Sequence, residues 1–162
     1  MRIVKVDSDN LHIYLNLCQS YEGEFSAITQ KRPDENGLFE LDTHIGGDVL
    51  GYLLYAEDSP VGFAAVRIKP GGESFEVCEF YVAPCCRKNG LGKGFATEIF
   101  KMHRGNWEIK QLYAAGYATE FWRKTIRGFT KGQFQEDLYQ DGYWGRVVRQ
   151  QFTSADSDAA SD

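Results

Sequence analysis

Apolar residues recur along this chain in two rhythms, the alternation of a strand and the turn of a helix. Ile3 and Val4, set between polar neighbours, predict a short strand over Arg2 to Val6, and Asp7, Ser8, Asp9 and Asn10 then supply N-cap candidates. Leu11, Tyr14, Leu15 and Cys18 repeat at helical spacing and predict a helix from about Leu11 to Tyr21. The stretch from Glu22 to Gly47 carries neither rhythm. Its length marks it as either a partly helical lid or a substrate-facing loop.

Two apolar runs follow, Val49 to Tyr55 and Val61 to Lys69, joined by the turn formers Asp58, Ser59 and Pro60, which is the pattern of a β-hairpin. Pro70, Gly71 and Gly72 make the next turn, and Phe75 to Val82 reads as a third antiparallel strand that Pro84 ends. Phe95, Ala96, Ile99 and Phe100 form one stripe of a helix over Leu91 to His103, and Gly105 stops it. Ile109 to Ala114 predicts a strand, Thr119 to Ile126 a short helix, and Phe129 to Phe134 and Arg146 to Phe152 two closing strands. The order is that of an α+β domain with one strand-helix-strand crossover. Ser154 to Asp162 holds three Asp and no basic or large apolar residue. It reads as a flexible acidic tail after a single domain spanning 1–153.

Composition narrows the function classes. A length of 162 residues, 43% of them hydrophobic, fits one compact domain with a sizeable core. The formal charge is 18 − 23 = −5, without the basic excess of a nucleic-acid binder. No run approaches the roughly 18 to 20 apolar residues that span a bilayer, and Met1 to Asn10 lacks a secretory h-region, so the expectation is a soluble cytoplasmic protein with no membrane partner. Cys18, Cys78, Cys85 and Cys86 include no C-x-x-C pair, and His12, His44 and His103 have no ligand spacing. No metal is expected.

The most informative segment runs from Arg87 through Lys88, Asn89, Gly90, Leu91, Gly92 and Lys93, between a buried strand and an amphipathic helix. Glycines allow the chain to turn with positive φ and bring N–H groups close to a ligand, and the first turn of a helix offers unpaired donors at the positive end of its dipole. Three cationic side chains in an acidic protein strengthen the reading as a pyrophosphate site. The dinucleotide fingerprint fails, because Gly90, Gly92 and Gly94 do not give G-x-G-x-x-G and no acidic residue closes the next strand. A P-loop fails too, since no Gly-Lys pair precedes Ser or Thr.

The pattern F-Y-V-x-P-x-x-R-x-x-G-x-G-x-x-F from Phe80 to Phe95 closely resembles motif A of the GNAT acyl-CoA N-acyltransferases, and the order of elements resembles that fold from Met1 to about Thr153. The segments YEGEFSAIT, GLFELDT, EFYVAP and FWRKTI look like a bacterial branch of predicted acetyltransferases that names no substrate. The resemblance implies a mixed central sheet of six to seven strands flanked by helices. It implies an N-acetyltransferase that passes the acetyl group of acetyl-CoA to a primary amine by direct attack in a ternary complex. The backbone of Phe80, Tyr81 and Val82 would then pair with the pantetheine arm, and N–H groups from Lys88 to Gly92 would hold the pyrophosphate, with Arg87 at the family's Arg or Gln place. The acceptor would be a small-molecule or peptide amine, and homodimers are common in the family.

Amide formation from a thioester requires a deprotonated amine and a polarised carbonyl. Glu76 and Glu79 lie on an otherwise apolar strand, where desolvation raises a carboxyl pKa, and both are candidate bases. They point to opposite faces. In many family members an acidic residue at the place of Glu76 is the base, and each residue has an ordinary ion-pair role as its alternative. Trp122 occupies the place of the family's tyrosine acid, and an indole N–H does not serve as one. Carboxylates between Tyr21 and Asp42 would favour a cationic amine if they converge on the cleft. The rival function is a non-catalytic acyl-CoA-binding module.

Overall fold

The structure is a computed structural model that describes residues 1–154. Its elements are β1 (Arg2–Lys5), α1 (Leu11–Thr29), β2 (Val49–Ala56), β3 (Ser59–Ile68), β4 (Ser74–Val82), α2 (Leu91–Met102), β5 (Asn106–Leu112), α3 (Gly116–Thr130), β6 (Gln135–Asp141) and β7 (Gly145–Thr153). A short 3₁₀ turn, Pro84–Cys86, separates β4 from α2. The strands form a seven-stranded sheet in the order β1-β2-β3-β4-β5-β7-β6. β1 pairs antiparallel with β2, β4 runs parallel to β5, and β7 lies antiparallel to both β5 and β6. The sheet is mixed, as expected.

Three differences from the sequence reading concern the two ends of α1 and the last strands. α1 continues past Tyr21 to Thr29, because Tyr14, Cys18, Tyr21 and Phe25 keep the helical spacing through Gly23, and Gln30 then closes it in the left-handed conformation at φ 59. At its other end Asn10 holds the N-cap position, yet its side chain turns back to the Lys5 carbonyl and the Asp7 amide. The third difference is at the C-terminal end. Phe129 belongs to α3, and the strand expected over Phe129 to Phe134 lies instead at Gln135–Asp141, where six of seven residues are exposed. No apolar pattern marks that strand. It pairs with β7 along its whole length, and ion pairs join its side chains to the fold, with Arg149 on Asp137 at 2.6 Å and Arg123 on Glu136 at 2.6 Å.

The chain forms two compact units. The first comprises Met1–Val66 and Cys78–Gly92. Its core joins Val6, Tyr14, Cys18, Leu53, Phe63 and Tyr81, with the Tyr14 ring edge-on to Phe63 at 4.9 Å. Tyr21 adds an aromatic cluster, stacking on Phe25 and meeting Phe63 and Tyr81 edge-on. The second unit comprises Arg67–Val77 and the chain from Lys93 onward. Phe100 sits at its centre, within 4.9–6.2 Å of Phe152, Trp107, Phe129 and Trp122. Such aromatic contacts add about 0.5–1.5 kcal/mol each beyond area burial.

Ser154, the first residue of the expected tail, is 2% exposed, donates to the His103 carbonyl at 3.0 Å and accepts from the Gly105 amide at 3.0 Å. A hydroxyl satisfied on both sides fixes the chain there. The rest of the tail, residues 155–162, lies outside the described residues. No helix among the described residues is long and apolar enough to cross a membrane.

Candidate active site

In the first unit, β4 leads directly into the turn singled out by sequence. The Ala83 amide donates to Val61 at 2.7 Å, and the Cys86 amide donates to Ala83 at 2.8 Å as the 3₁₀ turn forms. Lys88 follows at φ 67 and Gly90 at φ 84. A left-handed Lys costs about 1–2 kcal/mol, so the surrounding turn over-determines it. The Asn89 side-chain oxygen accepts from the Leu91 amide at 3.1 Å and starts α2. Lys88, Asn89, Gly90 and Lys93 are exposed, while Leu91 and Gly92 are half-buried. The parallel ladder with β5 covers Ser74–Val77 only, and Phe80, Tyr81 and Val82 extend past it toward the turn.

Arg87, at the start of this turn, is engaged within the chain. Its Nε donates to the Val82 carbonyl at 2.7 Å, and its two terminal nitrogens grip Glu24 of α1 at 2.9 Å each. A bidentate guanidinium–carboxylate pair fixes angle as well as distance. Arg87 therefore braces the end of β4 against α1.

Glu79 is a buried carboxyl of the same unit, 8% exposed, as is Glu22 at 3%. Thr43 donates its hydroxyl to Glu79 Oε1 at 2.9 Å, and Tyr21 supplies a second side-chain hydrogen bond. Burial, joined by the charges of Glu22 and Asp42, pushes its pKa up to about 7 against the opposing effect of those two hydrogen bonds. A carboxyl poised near neutrality can take a proton at physiological pH. The Tyr14 hydroxyl is buried beside the Cys18 thiol, and burial first, then that thiol and the charge of Glu79, push its pKa up.

Next to Glu79, Lys31 closes the loop after α1. Its ammonium donates to Glu22 Oε2 at 3.0 Å, Asp42 Oδ2 at 2.8 Å and the Glu40 carbonyl at 2.9 Å. Oxygens of Glu22, Asp42 and Glu79 lie within 4.8 Å of one another, a spacing that could hold a cation. The loop is pinned a second time by Gln19, whose side-chain amide both donates to and accepts from the Phe39 backbone. Three carboxylates of the acidic segment thus meet two cations of the chain, and a fourth meets backbone amides. Glu22 and Asp42 face Lys31, Glu24 faces Arg87, and the Asp34 carboxylate accepts the Asn36 and Leu38 amides, which holds its pKa below the usual range.

Glu76 belongs to the second unit. It pairs with Lys110 at 3.1 Å and Arg67 at 3.7 Å, and Lys110 also holds Asp141 at 2.8 Å. This is the ion-pair role, in a cross-strand ladder that also joins Lys69 to Glu108 at 3.1 Å. Trp122 is buried in the core of that unit, whereas Tyr113 and Tyr117 are exposed. Sequence reasoning missed Tyr21 as a site residue because it ended α1 there, and it missed Thr43 and Lys31 altogether. The signal for Tyr21 was the unbroken helical spacing to Phe25.

The sequence model of the Acetyltransferase (GNAT) family matches residues 14–129. The chain belongs to that family, as an enzyme of the acyltransferase class. No curated protein matches it in sequence. Among solved structures it resembles the aminoglycoside 6'-N-acetyltransferase of Enterococcus faecium, with TM-score 0.64 and 12% identity, covering 95% of this chain and 97% of that one. The ribosomal-protein-S18-alanine N-acetyltransferase of Escherichia coli gives TM-score 0.62 and 12% identity over 95% and 94%. The PaiA N-acetyltransferase of Thermoplasma acidophilum, solved with coenzyme A, gives TM-score 0.62 and 12% identity over 94% and 100%. At these identities the likeness is one of fold.

Proposed function

We propose that this chain transfers the acetyl group of acetyl-CoA to a primary amine by direct attack in a ternary complex, with Glu79 as general base. The observation that carries the reading is a buried carboxyl with pKa about 7, hydrogen-bonded by Thr43 and Tyr21, on the strand that ends three residues later and leads through the 3₁₀ turn into the candidate pyrophosphate turn. Backbone groups of Phe80, Tyr81 and Val82 hold the pantetheine arm. N–H groups from Lys88 to Gly92 hold the pyrophosphate, Lys88 and Lys93 lend positive charge, and Arg87 keeps this edge in register with α1. Glu79 removes the proton as the amine nitrogen bonds to the thioester carbonyl carbon. The C–S bond then breaks and CoA departs as the thiolate. With tryptophan at the place of the tyrosine acid, Trp122 does not protonate the departing thiolate.

The buried Trp122 also favours the second reading, a non-catalytic acyl-CoA-binding module. Thermal unfolding with acetyl-CoA, against NAD and ATP, tests the half that the two readings share. At about 100 times Kd a ligand adds ~2.7 kcal/mol, which for a domain of this size raises Tm by roughly 5 to 10 °C. No shift with acetyl-CoA removes both readings. Release of free CoA thiol with a panel of primary amines then separates enzyme from module.

A further inference from the structure

We infer that Cys85 and Cys86 form a vicinal dithiol site for a soft centre that two sulfurs satisfy, the chemistry of a trivalent arsenical. The two residues end the 3₁₀ turn Pro84–Cys86, in which the Cys86 amide donates to the Ala83 carbonyl at 2.8 Å and the Arg87 amide to the Pro84 carbonyl at 3.3 Å. Held in that turn, Cys85 is exposed and Cys86 half-buried, and both are free thiols. Their Sγ atoms lie 3.7 Å apart, in hydrogen-bond contact. The site uses none of the residues assigned to acetyl transfer, so either reading can fail alone.

Two ways of joining the sulfurs compete, and geometry separates them. A disulfide usually needs Cα atoms about 4.4–6.8 Å apart, whereas the trans peptide between these neighbours holds theirs at about 3.8 Å. Oxidation would have to deform the turn. A bridging centre asks for no such movement. At about 2.3 Å from each sulfur, a usual metal–thiolate length, it would see sulfurs 3.7 Å apart at roughly 107°, an ordinary bond angle. Ligand count then selects the centre. Among the described residues, the grouping of three or more His, Cys, Asp or Glu side chains at ligand spacing is Glu22, Asp42 and Glu79, so no third such ligand joins the two sulfurs. Structural zinc takes four protein ligands. A monosubstituted arsenical takes two sulfurs and keeps its own carbon. Two S–H bonds and the arsenic–oxygen bond break, two As–S bonds form, and the oxygen leaves with both protons as water, with no change of oxidation state. The Cys85 hydrogen bond holds the Cys86 thiol above its ordinary range, so that sulfur brings its proton to the reaction. Cys18 is closed to such a reagent, being 4% exposed with its pKa pushed up to about 12, mainly by burial.

The test titrates the reduced, full-length protein with phenylarsine oxide in excess mercaptoethanol, a monothiol that strips arsenic from single cysteines. Intact mass and thiol titration give the readout. The wild type should take up one arsenical per chain, lose two reactive thiols together, and recover both with dithiothreitol. Cys85→Ser and Cys86→Ser should each weaken binding by about 10²- to 10⁴-fold, the gain that a second tethered ligand supplies. Proteolytic mapping should place the arsenical on the peptide that holds both residues. Loss of one thiol per arsenical in the wild type overturns the inference without recourse to any variant. So does undiminished binding in either serine variant, or an arsenical mapped to Cys18 or Cys78.

Discussion

Glu79→Gln is expected to lower kcat for amine acetylation by about 10²- to 10⁴-fold, the usual contribution of a general base, and to abolish the acidic limb of the pH–rate profile. In the wild type that limb should fall below pH about 7, where Glu79 takes up its proton and can no longer accept one from the amine. Stability should move the other way. A carboxyl whose pKa is raised on folding binds more protons in the native state than in the unfolded one. The native state therefore loses stability as pH rises from about 4.5 toward 7 and regains none above it. The displacement from 4.5 to about 7 corresponds to roughly 3 kcal/mol at about 1.36 kcal/mol per pH unit. Glutamine keeps an oxygen for the Thr43 hydroxyl and carries no charge, so the variant should be more stable than wild type at pH 8 and alike at pH 4. Glu76→Gln should do the opposite. It breaks the pair with Lys110 and should cost stability while leaving the acidic limb in place. A Glu79→Gln enzyme with wild-type kcat and an intact acidic limb would remove Glu79 from the chemistry.

That contrast between two glutamates shows how far the sequence could be read. Alternation along β4 separates Glu76 from Glu79 onto opposite faces, and this much is local. What lies over each face is not. Thr43 reaches Glu79 from 36 residues away, and Lys110 meets Glu76 only because β5 lies parallel beside β4. The turn after Pro84 was legible because its chemistry is contained in consecutive residues. Lys31 was not, since its partners stand nine and eleven residues away, and a single lysine among acidic residues has no period. The same limit hid β6. A strand at the end of the sheet with six exposed residues has no buried face to impose an apolar pattern, and its ion pairs depend on register. The carboxylates between Tyr21 and Asp42 were visible individually, but whether they attract a substrate or each other depends on Lys31 and Arg87.

Gly62→Ala should cost stability on the order of 3 kcal/mol and weaken acetyl-CoA binding by tenfold or more, for one geometric reason. A Cβ at residue 62 would clash with the Tyr81 carbonyl oxygen and stand 3.3 Å from the Val82 Cα. Both are backbone, so no rotamer change relieves the contact, and β4 must move away from β3 at Tyr81 and Val82. Those residues carry the edge assigned to the pantetheine arm, and the Val82 carbonyl is the one Arg87 holds. Destabilisation alone does not prove the point, since a loosened protein can bind poorly for many reasons. Leu53→Ala supplies the comparison. Leu53 is fully buried in the same unit, and its truncation should cost about 2–5 kcal/mol by leaving a cavity. The atoms nearest a Cβ at residue 62 belong to Tyr81, Leu54 and Val82, and this truncation removes none of them. Acetyl-CoA titrations well below each variant's Tm should then find affinity lost in Gly62→Ala and kept in Leu53→Ala. Equal losses would mean that stability sets the binding, and equal retention would take the cofactor away from this edge of β4.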